Sequence, residues 1–278
     1  MKIQSVKLIY FSPTRTTRKV LEGIAKGLPV DQTEPLDLTN PKTGKQAFEE
    51  IHDELAIIGT PVYGGRVPVD ATVDLKRLKA RQTPAVVVVL YGNREYEDAL
   101  LELKNIAMET GFKPFAGAAF IGEHSFSSDA APIAAGRPDA DDLKKAMEFG
   151  DVLWKQLGRV ASIDDIFPVQ VPGNFPYKER MKAFTISPIT REAICTACGT
   201  CAAVCPKEAI VIEDTVMTDV NACIACCACV KNCPTQARVM EDPIILQKAA
   251  WLSANCHERK EPQLYTGFYH KADSFNRS

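Results

Sequence analysis

Eight cysteines in two runs are the residues whose type and spacing point most directly to chemistry. They stand as Cys195, Cys198, Cys201 and Cys205, and again as Cys223, Cys226, Cys229 and Cys233. Each run is C-x2-C-x2-C-x3-C closed by a proline, Pro206 or Pro234. The runs lie 28 residues apart at every cysteine, and the repeat continues beyond them, with Ala209, Glu213 and Asp214 recurring as Ala237, Glu241 and Asp242. An internal duplication of this kind predicts two copies of one unit packed about a pseudo-two-fold axis. Three thiolates at this spacing wrap one [4Fe–4S] cubane, and the fourth, out of reach of that cube, ligates the other. Cys195, Cys198, Cys201 and Cys233 are therefore assigned to one cluster, and Cys223, Cys226, Cys229 and Cys205 to a second. The small residues Ala197, Gly199, Ala225 and Ala228 let backbone amides approach the cluster sulfides, which tunes the potential. Structural zinc prefers two separated pairs of ligands. A disulfide framework is not needed by a chain of this length with no secretory signal in its first residues.

Over this stretch the chain resembles the bacterial-type two-cluster ferredoxins. One position departs from the duplication, because the counterpart of Gly199 is Cys227. We read this ninth thiol as a small buried residue rather than a ligand. The tenth, Cys256, stands alone and reads as a buried free thiol.

The repeat occupies a minor, late part of 278 residues, so a second domain must fill the first half. With 46% hydrophobic and 24% charged residues the composition is ordinary for a globular protein. A net charge of −2 argues for neither nucleic acid nor an anionic membrane as partner. The longest apolar run, Ala85 to Tyr91, is strand-sized and too short to span a bilayer. The expectation is a cytoplasmic protein.

The elements that must position these groups alternate in type. Val6 to Phe11, Pro35 to Thr39, Leu55 to Ile58, Pro84 to Leu90 and Phe115 to Ile121 read as strands. Helical patterns start at Thr16 and cover Asp70 to Lys79, Asp98 to Thr110 and Asp139 to Leu157. Strands apolar on both faces between helices predict a parallel sheet covered on both sides. Ligands of such sheets bind beyond the carboxyl ends of the strands. Three strand ends carry unusual loops: Ser12 to Thr17, Pro61 to Pro68 and Tyr91 to Tyr96. The first is rich in hydroxyls and opens a helix, where free amides and the helix dipole favour an anion. Capping of that helix is the plainer use of the same residues.

On these loops, residues up to about Arg159 resemble a flavodoxin domain. The resemblance implies that Ser12, Thr14, Arg15, Thr16 and Thr17 cradle an FMN phosphate. It implies that Pro61, Val62, Tyr63, Gly64, Gly65 and Arg66, with Tyr91, Gly92, Asn93 and Arg94, flank the flavin ring. Arg15 departs from the glycine usual in that family, at a position that can demand an unusual backbone conformation. Its guanidinium could instead pair with the phosphate. The whole chain resembles the flavodoxin–ferredoxin fusion family. The implied fold is α/β, a flavodoxin-like doubly wound parallel five-stranded sheet followed by a small α+β two-cluster ferredoxin domain. The expected divisions are 1–161 for the flavodoxin-like FMN-binding domain, 162–190 for an extended linker, 191–242 for the 2[4Fe–4S] ferredoxin domain, and 243–278 for a C-terminal helix and tail.

Phe167 to Tyr177, rich in proline and aromatics, reads as an extended connector lying on protein surface. Tyr177 to Phe184 reads as a short basic helix, and Pro243 to Asn255 as a helix with Ile245, Ala249 and Leu252 on one face. His124, at a strand end, is the candidate proton donor. Arg66 and Arg94 are candidates to meet an anionic flavin or substrate. The expected function is an electron-transfer iron–sulfur flavoprotein with two [4Fe–4S] clusters and FMN, serving a redox partner protein or a small acceptor. The alternative is an FMN-dependent reductase of a small organic substrate fed through the clusters. No G-x-G-x-x-G dinucleotide fingerprint supports direct NAD(P)H oxidation.

Overall fold

Alternation along the strands decides which helices cover which face of the sheet. In β4 (Thr83–Tyr91), Val86, Val88 and Leu90 face one layer, while Ala85, Val87, Val89 and Tyr91 face the other, as a period of two requires. The structure is a computed structural model that describes residues 3–181 and 185–267. β1 (Ser5–Tyr10), β2 (Gln32–Asp37), β3 (Leu55–Pro61), β4 and β5 (Phe112–Ile121) pair in parallel in the order β2-β1-β3-β4-β5. That is the doubly wound flavodoxin-like order, with its switch point between β1 and β3. Helices α1 (Thr16–Lys26) and α5 (Ala140–Leu157) cover one face through Val20, Leu21, Ile24, Phe149 and Leu153. They touch closely: a Cβ on Gly27 would lie 1.9 Å from the Met147 carbonyl oxygen. The other face is covered by α3 (Val69–Leu75) and α4 (Ala99–Glu109) through Leu75, Leu100 and Leu103. A single turn, α2 (Pro41–Gly44), follows β2.

The expected five-stranded sheet gains a sixth strand. Gln263–Thr266 pairs antiparallel with β5, the one antiparallel strand of the sheet among the described residues. This segment covers an edge that would otherwise expose unpaired backbone. The second strand also differs from the expected Pro35 to Thr39. It begins at Gln32 because Gln32, Thr33 and Glu34 find partners on β1, although they are exposed edge residues without an apolar signature.

The connector keeps its extended form and lies against the sheet domain. The Val169 amide donates to Pro114 O at 2.8 Å, and the Asp98 carboxylate accepts the Asn174 and Lys178 amides at 2.8 and 2.7 Å. The predicted basic helix is absent over Tyr177 to Met181, where Lys178 is held extended by Asp98; the rest of that prediction, to Phe184, lies outside the described residues.

The cysteine repeat folds with the predicted pseudo-symmetry. β6 (Ile189–Thr190) pairs with β9 (Arg238–Val239), and β7 (Ile210–Ile212) with β8 (Val216–Thr218). The pairs Ile189–Val239 and Thr190–Arg238 recur, 28 positions on, as Met217–Val211 and Thr218–Ile210. The Arg191 amide donates to Ala237 O and its counterpart, the Asp219 amide, to Ala209 O, both at 2.8 Å. The short helices α6 (Thr200–Ala203) and α7 (Ala228–Lys231) obey the same offset. Helix α8 (Pro243–Asn255), capped by Asp242, buries Ile245 and Ala249. The C-terminal strand then becomes β10 (Gln263–Thr266). Among the described residues no helix is long and apolar enough to cross a membrane.

Candidate functional site

The two copies bring their cysteines together in crossed sets. Cys195, Cys198, Cys201 and Cys233 line one small cavity. Cys205, Cys223, Cys226 and Cys229 line another. Local backbone makes this possible: Ala197 (φ 50°) and Gly199 (φ 80°) adopt the left-handed region, as do Ala225 (φ 51°) and Cys227 (φ 56°) at the equivalent positions. These conformations curl each loop around its cavity; among the described residues no three of these side chains close on a single-ion site, and the thiols instead line the two cavities. The Ala209 amide donates to Cys205 Sγ at 3.3 Å and the Ala225 amide to Cys223 Sγ at 3.4 Å, the bonds that favour a thiolate. Cys227 lies at the second cavity's wall, with Sγ 3.7 Å from Ala225 O. Burial pushes the Cys226 thiol up to about 12. It would ionise at neutral pH only against the positive charge of bound iron. The first set is more open, with Cys198 exposed, whereas Cys226 and Cys229 are buried.

A larger cleft, about 450 Å³, opens at the carboxyl ends of β1, β3, β4 and β5. This lies within the ~300–1,000 Å³ typical of small-molecule sites. Its floor at α1 is the loop of Ser12, Pro13, Thr14, Thr16 and Thr17. Ser12 Oγ accepts from the Arg18 amide at 3.1 Å and so caps the helix. Among the described residues the amides of Thr14, Thr16 and Thr17 have no partner, and neither does the buried Thr17 Oγ1. A buried hydroxyl without a partner costs stability. An anion at this helix terminus would satisfy it and the three amides together.

Pro61, Val62, Tyr63 and Gly64 form one side of the cleft, and Tyr91 and Gly92 another. The Tyr63 phenol, desolvated beside Cys226 and Cys227, is held well above its usual range. Burial, with Glu95 next in effect, pushes Tyr91 up to about 12. Both rings are therefore neutral. A Cβ on Gly92 would lie 2.3 Å from His124 Cδ2, so only glycine allows His124 to close over this loop. His124 lines the cleft and accepts the Phe126 amide at Nδ1, 3.0 Å away. Burial, then Lys231 and Arg94, push its pKa down to about 4. At neutral pH it is an uncharged imidazole that offers Nε2–H as a hydrogen-bond donor, not an imidazolium.

Other candidate residues are used elsewhere. Arg15 is at φ 65°, the left-handed conformation anticipated for that position, and its side chain is exposed away from the cleft lining. Arg66 is neither a cleft cation nor solvated. Its Nε and Nη2 donate to Glu102 at 2.8 Å, and Nη1 donates to Lys178 O at 2.5 Å. A buried ion pair of this kind anchors the connector, since Arg180 also reaches Glu102 at 2.6 Å. Asn93 Nδ2 donates to Cys256 O and Glu258 O at 2.6 and 2.7 Å, which ties down the segment leading to β10. Cys256 itself is half-buried rather than buried, because it ends α8 at the surface. Gly65 and Arg94 line an adjoining cavity of about 380 Å³ that continues past Tyr91 and His124 to Trp251 of α8. Arg94 itself is paired with Glu97 at 3.0 Å.

The opposite wall of the cleft lies outside the sheet domain. Arg180, Met181 and Thr185 of the connector and Val220, Asn221, Cys223, Ile224 and Ala225 of the cysteine repeat all line it. Ile224 also packs against the apolar layer of α3 and α4. The second cysteine set and the cleft thus share a wall. Sequence reasoning missed this, because no local pattern marks a contact between distant segments.

Residues 187–235 match the family model described as a 4Fe-4S dicluster domain. The chain joins a doubly wound flavodoxin-like sheet to this dicluster-type unit. Among curated proteins no sequence matches it. Similar solved structures include the flavodiiron core of Synechocystis, at 21% identity over 56% of this chain and 36% of that chain, TM-score 0.39. A Streptococcus pneumoniae flavodoxin is 16% identical over 55% of this chain and 99% of that chain, TM-score 0.37. A Fusobacterium nucleatum flavodoxin bound to flavin mononucleotide is 13% identical over 56% of this chain and 99% of that chain, TM-score 0.35.

Proposed function

We propose that this protein is a cytoplasmic electron-transfer iron–sulfur flavoprotein that relays electrons between two [4Fe–4S] clusters and an FMN in the cleft. The observation that carries this reading is the shared wall, in which Cys223 and Ile224 line both the second cysteine cavity and the cleft. The first set, with Cys198 exposed, is the natural entry for electrons from a partner protein or a small donor. FMN, when bound, exchanges one or two electrons and so joins single-electron carriers to hydride-type chemistry.

The chain's own residues would do the following. Thr14, Thr16 and Thr17 would bind the phosphate through their amides, and Thr17 also through its hydroxyl, assisted by the α1 dipole. Tyr63 and Tyr91 would flank the ring as neutral aromatics. His124 would orient it through Nε2–H, its Nδ1 being held by Phe126. Ile224 and Met181 would exclude water from the side facing the clusters. A second reading, reduction of a small organic acceptor, is favoured by the adjoining cavity that reaches Trp251.

The test is rapid mixing of anaerobic, fully loaded protein with dithionite, following cluster and flavin absorbance separately. Flavin reduction that trails cluster reduction with a first-order rate, independent of protein concentration, is expected. Clusters with no retained flavin, or a rate proportional to protein concentration, would sink the relay.

A further inference from the structure

The pseudo-symmetry of the cysteine repeat is broken at one buried position. Ile210 in the first copy corresponds, 28 residues on, to Arg238 in the second. Both are buried, at 7% and 3% exposure. An isoleucine is expected there, since the site is a strand position facing the cysteines. An arginine is not, because a buried guanidinium costs free energy unless an anion compensates it.

Among the described residues no carboxylate pairs with Arg238. Its Nη1 donates to Thr190 Oγ1 at 2.7 Å and its Nη2 to Thr218 Oγ1 at 2.9 Å. Nη2 also lies 3.8 Å from Cys229 Sγ, and Nε is buried with no partner. The two threonines are themselves related by the repeat, so the side chain sits across the pseudo-axis, between the two sets. It lines the cavity of the first set while reaching a cysteine of the second. Hydroxyls orient the cation but do not neutralise it.

We infer that Arg238 is a redox-tuning residue, a fixed cation whose counter-charge is the pair of thiolate-ligated clusters. It favours the electron-rich state most at the cluster ligated by Cys229. This rests on the reading that the cysteine sets hold clusters. One-electron reduction adds a negative charge to a cluster, and a hydrogen bond from a cation to a ligand sulfur stabilises that charge. The cluster on the cleft wall is then the easier to reduce, and electrons entering at the exposed set run downhill toward the cleft. Because the fold would accept isoleucine, as it does at position 210, the charge is what arginine adds.

The experiment is a mediated potentiometric titration of the loaded protein, read by paramagnetic resonance of the two clusters. Arg238→Met, Arg238→Gln and Arg238→Lys are compared with wild type, with iron content measured for each. In the Met and Gln variants, the reduced-to-oxidised ratio of the Cys229-ligated cluster should fall at least ~10-fold at fixed potential, a downward shift of ~59 mV for a one-electron couple. The other cluster should shift less, and Lys should restore most of the change. An unshifted Cys229-ligated cluster in any fully loaded charge-removing variant, or a larger shift at the other cluster, overturns the inference. Wild-type protein that holds no iron would instead refute the cluster reading itself. If Met assembles poorly, Gln retains a polar head for the two threonines and carries the comparison.

Discussion

Replacing Thr17 by valine removes one hydroxyl and keeps the methyl that packs against Gly59. A Cβ on that glycine would stand 2.9 Å from Thr17 Cγ2, so shape is tightly set here. Thr17 Oγ1 is buried without a partner among the described residues. An unsatisfied buried polar atom costs roughly 1–3 kcal/mol, so Thr17→Val should stabilise the flavin-free protein by up to about that much. If the loop holds the FMN phosphate, the same hydroxyl gains a charge-assisted hydrogen bond on binding, worth roughly 1.5–3 kcal/mol. Its loss should weaken FMN binding by roughly 10- to 150-fold at ~1.4 kcal/mol per decade. The two effects have opposite signs, which a general loss of structure cannot imitate. Urea unfolding of the flavin-free protein gives the first, and quenching of FMN fluorescence on titration gives the second. A dissociation constant within about threefold of wild type would refute the phosphate site. A less stable flavin-free variant would show that the hydroxyl is not orphaned.

The remaining predictions concern the cysteines and His124. Cys205→Ala should lose iron from the second set, whereas Cys227→Ala should keep the full complement. Iron analysis with paramagnetic resonance checks both, and the reverse result would undo the crossed assignment. For His124 the folded pKa of about 4 lies below the ordinary 6.5, so the unfolded chain binds the proton first as pH falls. The stability held by its neutral form is complete above pH 6.5 and declines as pH drops toward 4. At 1.36 kcal/mol per pH unit the loss is about 3 kcal/mol. His124→Asn, which keeps an acceptor for the Phe126 amide, should flatten the pH dependence of urea unfolding across that window. An unchanged slope would show that the imidazole is solvated rather than buried.

Much of the architecture was readable because its signals are local. Ligand spacing is a property of a few consecutive residues, and the 28-residue repeat reports a symmetry that the two strand pairs then reproduce in register. The apolar runs of β1, β3, β4 and β5 are likewise self-evident, since a strand buried on both faces needs no partner to be recognised. β2 escaped in part and β10 entirely. Both are edge strands with exposed, polar sequences, and what makes them strands is the unpaired backbone of the neighbour beside them.

Arg66, Asn93 and Arg94 show the same limit at the level of side chains. Their loop positions suggested a ligand, yet Glu102, the backbone near Cys256 and Glu97 claim them. The chain by itself determined the two crossed cysteine sets, the doubly wound sheet and the hydroxyl-rich loop at the start of α1, because each depends on residues close in sequence. Only the tertiary structure decided that the loop of Cys223, Ile224 and Ala225 walls the cleft, that His124 is neutral, and that Arg238 is buried between the two sets. Each of these depends on which distant segments desolvate a group and which charges they bring beside it. Residue spacing does not encode that; it follows from how the whole chain packs.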